Sequence, residues 1–394
     1  MRRVYMDNNA TSPLLPEALE AMRPYLGERF GNASSIHHHG QQTRAAVERA
    51  RESVARLLNC RAAEIVFTSG GTEADNLAVF GMVHAGDHVI SSTIEHHAVL
   101  NSCHRLEKMG VSVTYVPVDG RGVIDPEDVR RALRPSTRLI SIMMANNETG
   151  VLQPVEVIGS IATEADVYFH TDAVQAAGKC VIDVQKIGCD LLSISGHKMH
   201  APQGTGVLYV RKGTLIDPLF YGGNHERQRR AGTENVPGIV ALGKAAEIAV
   251  AAFENGEVAR LGALRDRLQQ GILNAVDETG VNGEGAARVP TTTNIHFDHI
   301  EGEALIIALD LKGLAVSTGA ACSSGALEPS HVLMAMGLAP ERARASVRFS
   351  LGKLNTAEDV DFALSLIPPT VARLRELSPV YKKQSALSSQ HSAK

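Results

Sequence analysis

Short apolar runs alternate with amphipathic stretches from about Glu64 to Val210. The runs Ile65-Val66-Phe67, Val89-Ile90, Val111 to Val118, Leu139 to Met143, Val167 to Phe169, Leu191 to Ile194 and Gly206 to Val210 read as buried strands. Between them, Ala98 to Met109 and Pro126 to Leu133 read as helices, with Asp125 placed as an N-cap. Strands and helices in alternation predict an α/β fold with a mainly parallel seven-stranded sheet covered on both faces. Ligands on such sheets bind at the carboxyl ends of the strands.

The texture changes further on. A long helical region runs from Val236 to Val276, with a break expected near Glu254-Asn255-Gly256. Thr293 to Phe297 reads as a strand, Gly302 to Leu311 as a helix with Leu305, Ile306 and Leu309 in a core, and Val347 to Leu351 as a strand. Thr356 to Leu377 reads as a helix or helix pair interrupted by Pro368-Pro369. These signals predict a large domain over 16–260 and a smaller α+β domain built from 1–15 and 261–379. The stretch 380–394 has little to bury and is expected to be disordered.

Composition narrows the class. With 39 Lys plus Arg against 43 Asp plus Glu, the chain has no basic excess that would suggest a nucleic-acid partner. No apolar leader opens it, and no stretch reads as long and apolar enough to span a bilayer, since Ala245 to Phe253 is interrupted by Glu247. Cys60, Cys103, Cys180, Cys189 and Cys322 form no CxxC pair, which argues against a disulfide framework or a structural zinc site. A soluble, cytoplasmic protein without metal is expected. The triplet His37-His38-His39 reads as a polar loop near a site entrance.

Three strand ends and one small-residue run carry candidate chemistry. Ser195-Gly196-His197-Lys198 follows a buried strand, where a lysine held out of bulk water can form a Schiff base and the hydroxyl and imidazole can hold a phosphate. An ordinary surface lysine fits the same string taken alone. Ser69-Gly70-Gly71-Thr72-Glu73 opens a helix after the first run, and glycines there let the backbone approach an anion. A plain glycine turn capped by Thr72 is the alternative. His170-Thr171-Asp172-Ala173-Val174-Gln175 offers Asp172 to a pyridine nitrogen, with Gln175 near a phenolic oxygen; Asp172 as a simple helix cap remains open. The run Ser317 to Gly325 surrounds Cys322 with small residues, which suits a mobile thiol as well as a half-buried structural cysteine.

Taken together, the motifs carry a resemblance. Tyr5 to Thr11, Phe67 to Glu73, Ala145-Asn146-Asn147-Glu148-Thr149-Gly150, His170 to Gln175, Ser195 to Pro202, Arg230 to Asn235, Ala321 to Gly325 and Arg348 to Leu351 resemble the cysteine desulfurases of the NifS/IscS family. That family sits in the class V aminotransferase group of fold-type I pyridoxal-phosphate enzymes. The resemblance runs from about Val4 to Pro379, and the string His197-Lys198-Met199-His200-Ala201-Pro202 is nearer the NifS branch.

The resemblance implies a transferase converting L-cysteine to L-alanine on pyridoxal 5'-phosphate and delivering sulfur for iron–sulfur cluster assembly. Lys198 would carry the cofactor, Asp172 would pair with its ring nitrogen and Gln175 with its phenolic oxygen. His96 would stack on the ring and move protons. Gly71, Thr72, Ser195 and His197 would hold the phosphate, with Thr233 reaching the phosphate of a partner subunit in a homodimer. Asn147 and Arg348 would orient the substrate, Arg348 by gripping its carboxylate. Cys322 would take the sulfur as a persulfide, its thiol helped toward thiolate by His96, and pass it to a NifU/IscU-like scaffold protein. Gln203, where a lysine is usual, and the altered small residues around Cys322 imply a changed surface and no loss of chemistry. A selenocysteine lyase, a transaminase and a non-catalytic scaffold are the rival readings.

Overall fold

The computed structural model describes residues 2–319, 328–378 and 381; Cys322 and the tail 382–394 lie outside the described residues. The strands are β1 (Val4–Tyr5), β2 (Ile65–Thr68), β3 (His88–Ser92), β4 (Ser112–Val116), β5 (Thr137–Ser141) and β6 (Tyr168–Asp172). They continue with β7 (Leu191–Ser195), β8 (Gly206–Val210), β9 (Thr279–Val281), β10 (Thr292–Phe297), β11 (Leu314–Ala315) and β12 (Ser346–Ser350).

Seven of them form one sheet in the order β2-β8-β7-β6-β5-β3-β4. Only β8 runs against its neighbours, so the other six end along one edge. The unbroken apolar runs have a simple cause: every residue of β3, β7 and β8 is buried, as expected of strands covered on both faces. Alternate residues serve opposite faces. Phe67, Ile90, Ile140 and Ile194 join one core cluster, whereas Val66, Val89, Leu139 and Leu191 join another. At the edge, β4 is half-exposed and carries Ser112 and Thr114.

A separate core gathers Val4 and Met6 with Ile295, Phe297, Val347, Phe349, Val360 and Ile367. Here β10 pairs antiparallel with both β9 and β12, and β1 pairs in parallel with β11. The first strand of the chain is therefore packed with the last.

Three expectations are corrected. The segment Ala357–Leu377 is a single helix with Pro368 and Pro369 inside it. Its buried stripe of Val360, Ala363, Ile367 and Val371 holds it together despite the missing N–H donors, and a Thr356–Asp359 capping box starts it. The helix Val236–Glu254 has a mean hydropathy of 1.6, long and apolar enough to cross a membrane by that measure. It is a core helix nonetheless: a Cβ at Gly243 would lie 2.6 Å from Ala50 on the neighbouring helix His38–Leu58, while Lys244 and Glu247 pair on its outer face at 3.1 Å. The histidine triplet is no loop, because His38 opens that neighbouring helix and His37 caps it. The break expected after Glu254 is present, with Gly256 at φ 82°.

Candidate active site

Where β7 ends at Ser195, the chain turns through Gly196–Lys198 and aims the lysine back across the strand edge. Lys198 Nζ donates to the carbonyls of Asn9 and Ala10, the latter at 2.7 Å. The same N-terminal segment crosses the turn twice more: Ser12 Oγ donates to His197 O at 2.7 Å, and His197 Nδ1 lies 3.1 Å from Thr11 Oγ1. Burial and the Lys198 charge push His197 down to about 4, so the ring is neutral near pH 7.

Beside this turn lies the start of the helix Gly71–Phe80, which has no side-chain cap on its first N–H groups. Gly71 must be glycine, since a Cβ there would sit 2.8 Å from Val174 Cγ2 and 3.4 Å from Ser195 Cβ. Uncapped helix donors and a serine hydroxyl thus meet at one spot, with His197 two residues further along the same turn, a cradle suited to a phosphate. Thr72 lies exposed at the mouth of it. It is not the cap that the plainer reading would make it.

Asp172 ends β6, and its Oδ1 accepts from Val174 N at 2.8 Å. Burial raises it to about 6 although Lys198 pulls the other way. Two further buried carboxyls crowd it. Glu95 is pushed up to about 8 by burial, and Asp75 is raised by burial and then by Asp172. Asp75 Oδ1 and Glu95 Oε2 have no hydrogen-bond partner among the described residues. Such a pocket calls for positive charge.

His96 caps the helix His97–Glu107, its Nδ1 accepting from Ala98 N at 3.1 Å. That bond leaves the ring hydrogen on Nε2, and burial with the Lys198 charge pushes the group to about 4. At neutral pH His96 is a donor to the site, not the cation or base expected to activate a thiol.

Gln175 Nε2 donates to Asn9 O at 3.0 Å. Arg348, buried on β12, donates from Nη1 to Asn147 O at 2.8 Å and from Nη2 to Asp7 Oδ1 at 2.6 Å. Its Nε and the Asn147 Oδ1 are buried with no partner among the described residues. Glu148 meets both flanks of the segment 320–327: Ser330 Oγ donates to its Oε2 at 2.5 Å, and a Cβ on Gly319 would lie 3.2 Å from its Cγ.

The structure thus brings Lys198, Ser195, His197, Gly71, Asp172, Gln175, His96, Asn147 and Arg348 to one strand edge. Thr233 is not among them. It is exposed and lines a different cavity with Phe220, Tyr221, His225 and Arg230. Arg230 ties that loop back to the helix at Gly71 by donating to Glu73 Oε1 at 2.8 Å. Asn9, Asp7, Asp75 and Lys179 were missed as separate contributors. For Asn9 and Asp7 a signal existed in the matched segment Tyr5 to Thr11; for Asp75 and Lys179 there was none beyond a polar residue near a motif.

The fold and this edge define a class: the chain matches the model of the aminotransferase class-V family over residues 4–362. It is similar to the cysteine desulfurase IscS of Methanosarcina thermophila, 51% identical over 97% of this chain and 95% of that protein. The cysteine desulfurase IscS of Dictyoglomus turgidum is 49% identical over 97% of this chain and 98% of that protein. A solved NifS-like protein superposes with a TM-score of 0.88, at 38% identity, covering 94% of this chain and 100% of that one.

The chain belongs to the class-V aminotransferases and, within them, to the cysteine desulfurases of the NifS/IscS family. These are pyridoxal-phosphate enzymes, and the residues here fit that cofactor. The Gly71 helix start and Ser195, with His197 on the same turn, suit its phosphate; buried Asp172, with one open carboxyl oxygen on each of Asp75 and Glu95 nearby, suits a protonated ring nitrogen, and Lys198 suits its aldehyde.

Proposed function

We propose that this chain converts L-cysteine to L-alanine, with Lys198 carrying the cofactor and Cys322 receiving the sulfur for delivery to an iron–sulfur scaffold protein. The observation that carries the reading is the meeting of an amine, a buried acid and an anion cradle at one strand edge, in a chain so similar to named cysteine desulfurases. Bound pyridoxal phosphate supplies an electron-withdrawing ring to the substrate's α-carbon. Asp172 would hold that ring's nitrogen in its protonated form, and Gln175 would offer its Nε2 hydrogens to the phenolic oxygen. Lys198 takes the α-proton and returns it. His96 donates from Nε2, and Arg348 with Asn147 aligns the substrate carboxylate.

For the sulfur step, the Cys322 thiolate attacks the substrate sulfur. An S–S bond forms, the C–S bond breaks with its electron pair leaving on carbon, and that carbon gains a proton to become the methyl of alanine. Cys322 lies outside the described residues, and the other four cysteines support it by their unsuitability. Burial pushes the thiols of Cys60 and Cys103 up to about 12 and Cys180 to about 11, and raises Cys189 as well.

Thr233 completes the phosphate site of a second subunit in a homodimer, a reading supported by its exposure beside the exposed Phe220 and Tyr221. The division into 16–260 and 1–15 with 261–379 is supported by the two main cores, although Val289 packs with the first and Val332 and Leu333 pack with Ile94 and Met143 across it.

The test is direct. Purified protein given L-cysteine and excess dithiothreitol, which reduces the persulfide, releases alanine and sulfide in equal amounts and shows a visible cofactor band that Lys198→Ala loses. Cys322→Ala keeps the band and releases no alanine. Transamination of a keto acid without sulfur release overturns the reading.

A further inference from the structure

Lys179 has no part in the roles above, yet it is 7% exposed and sits against the site. Its Nζ donates to Gln175 Oε1 and to Asn9 Oδ1, both at 2.8 Å. An ammonium only donates, so these bonds fix the Gln175 amide with its oxygen toward Lys179 and its NH2 group away from it. That NH2 group reaches Asn9 O, the carbonyl that also accepts from Lys198 Nζ. Two contacts therefore set the facing of the amide, Asn9 O on its nitrogen side and Lys179 on its oxygen side, and without Lys179 only the neutral one is left to oppose the flipped form, which presents a carbonyl where a donor is needed. Asn9 is itself tied to Thr292 Oγ1 at 3.0 Å and to Asn147 O at 3.2 Å, so the contact is braced from the second core.

We propose that Lys179 is a positioning residue of the reaction: it sets the facing of the Gln175 amide toward the cofactor's phenolic oxygen and places a positive charge beside the Lys198 nitrogen. The proposal rests on the reading that Lys198 carries the cofactor. Lys179 is faced by Lys198, Arg348, Cys180 and His200, and Lys198 in turn by Asp172, His96 and His197. Burial, Lys198 and Arg348 push Lys179 down to about 7.

Apoprotein reconstituted with pyridoxal phosphate provides two readouts besides turnover: the dissociation constant of the cofactor and the pH midpoint of its visible band. Losing a donor to the phenolic oxygen and losing a nearby positive charge both favour the protonated form. In Lys179→Met the midpoint therefore rises by about one pH unit, and the dissociation constant rises about tenfold. Lys179→Arg, which keeps charge and donors, stays nearer the wild type in both.

An unmoved midpoint in folded Lys179→Met overturns the proposal, whatever happens to its melting temperature. Should that variant fail to fold, Lys179→Arg and Lys179→Gln carry the test: a higher midpoint in the glutamine variant supports the proposal, and coincident midpoints overturn it. A wild-type protein with no visible band, or a Lys198→Ala variant that keeps one, sinks the cofactor reading instead.

Discussion

Arg348 enters the site with two donors engaged, one on a carboxylate and one on a backbone carbonyl. Asp7 thus holds the guanidinium in plane and competes for the same fork a substrate carboxylate would use. Lysine at this position offers a point charge and cannot bridge Asp7, Asn147 and substrate together. Arg348→Lys is expected to raise the KM for L-cysteine by about 10- to 100-fold, the worth of one charged hydrogen bond. Steady-state kinetics with folded protein check this, and an unchanged KM removes Arg348 from substrate binding. Lys198 and Asp172 could be read from the chain because each ends an apolar run. Lys179 could not, because its bond to Asn9 joins positions 170 residues apart and no periodicity reports it.

At the level of elements, the seven strands of the large sheet were legible to within two or three residues, since burial on both faces writes them as apolar runs, whereas the short β1, β9 and β11 were not read as strands. For the helix Ala357–Leu377 the sequence left one helix or a pair open, because proline's local penalty is visible in sequence and the packing that outweighs it is not. The loop carrying Thr233 depends on a clamp that no motif announced. Arg51 on the helix His38–Leu58 donates from two nitrogens to Glu226, each at 2.7 Å, and Phe67 N donates to the same carboxylate at 2.9 Å. Glu226, Arg227 and Gln228 all hold left-handed backbone angles to make the contact, with φ of 45°, 57° and 68°. Glu226→Ala strands a buried guanidinium, and about 3–5 kcal/mol of stability is expected to go with it. Urea unfolding measures that loss; a change under about 1 kcal/mol, the worth of an exposed pair, shows that the clamp does not hold the loop.

For the whole molecule, the buried imidazoles set the response to acid. His88, His96 and His197 are pushed to about 4 and His170 to about 3, each by burial first. The unfolded chain protonates its histidines near 6.5, so their contribution is present above that pH and is lost as pH falls toward 4. Glu95 and Asp172 act oppositely, because their folded values of about 8 and 6 lie above the unfolded ones and favour the fold as pH drops. The imidazoles outnumber the carboxyls, so the melting temperature of the apoprotein falls between pH 6.5 and 4. Circular dichroism melts across that range check it, and His170→Gln flattens the slope. A flat or rising profile contradicts the balance.

The packing of the first strand into one core with the last has a consequence for how the enzyme is made. The carbonyls that accept from Lys198 belong to residues 9 and 10, and Arg348 arrives only on β12. A ribosome exposes Lys198 long before it has translated Arg348, so a nascent chain holds the reactive amine without the finished pocket. The pocket is complete only once Arg348 has been made, and a chain cut after residue 10 or just before residue 348 lacks part of the site while keeping all seven strands of the large sheet.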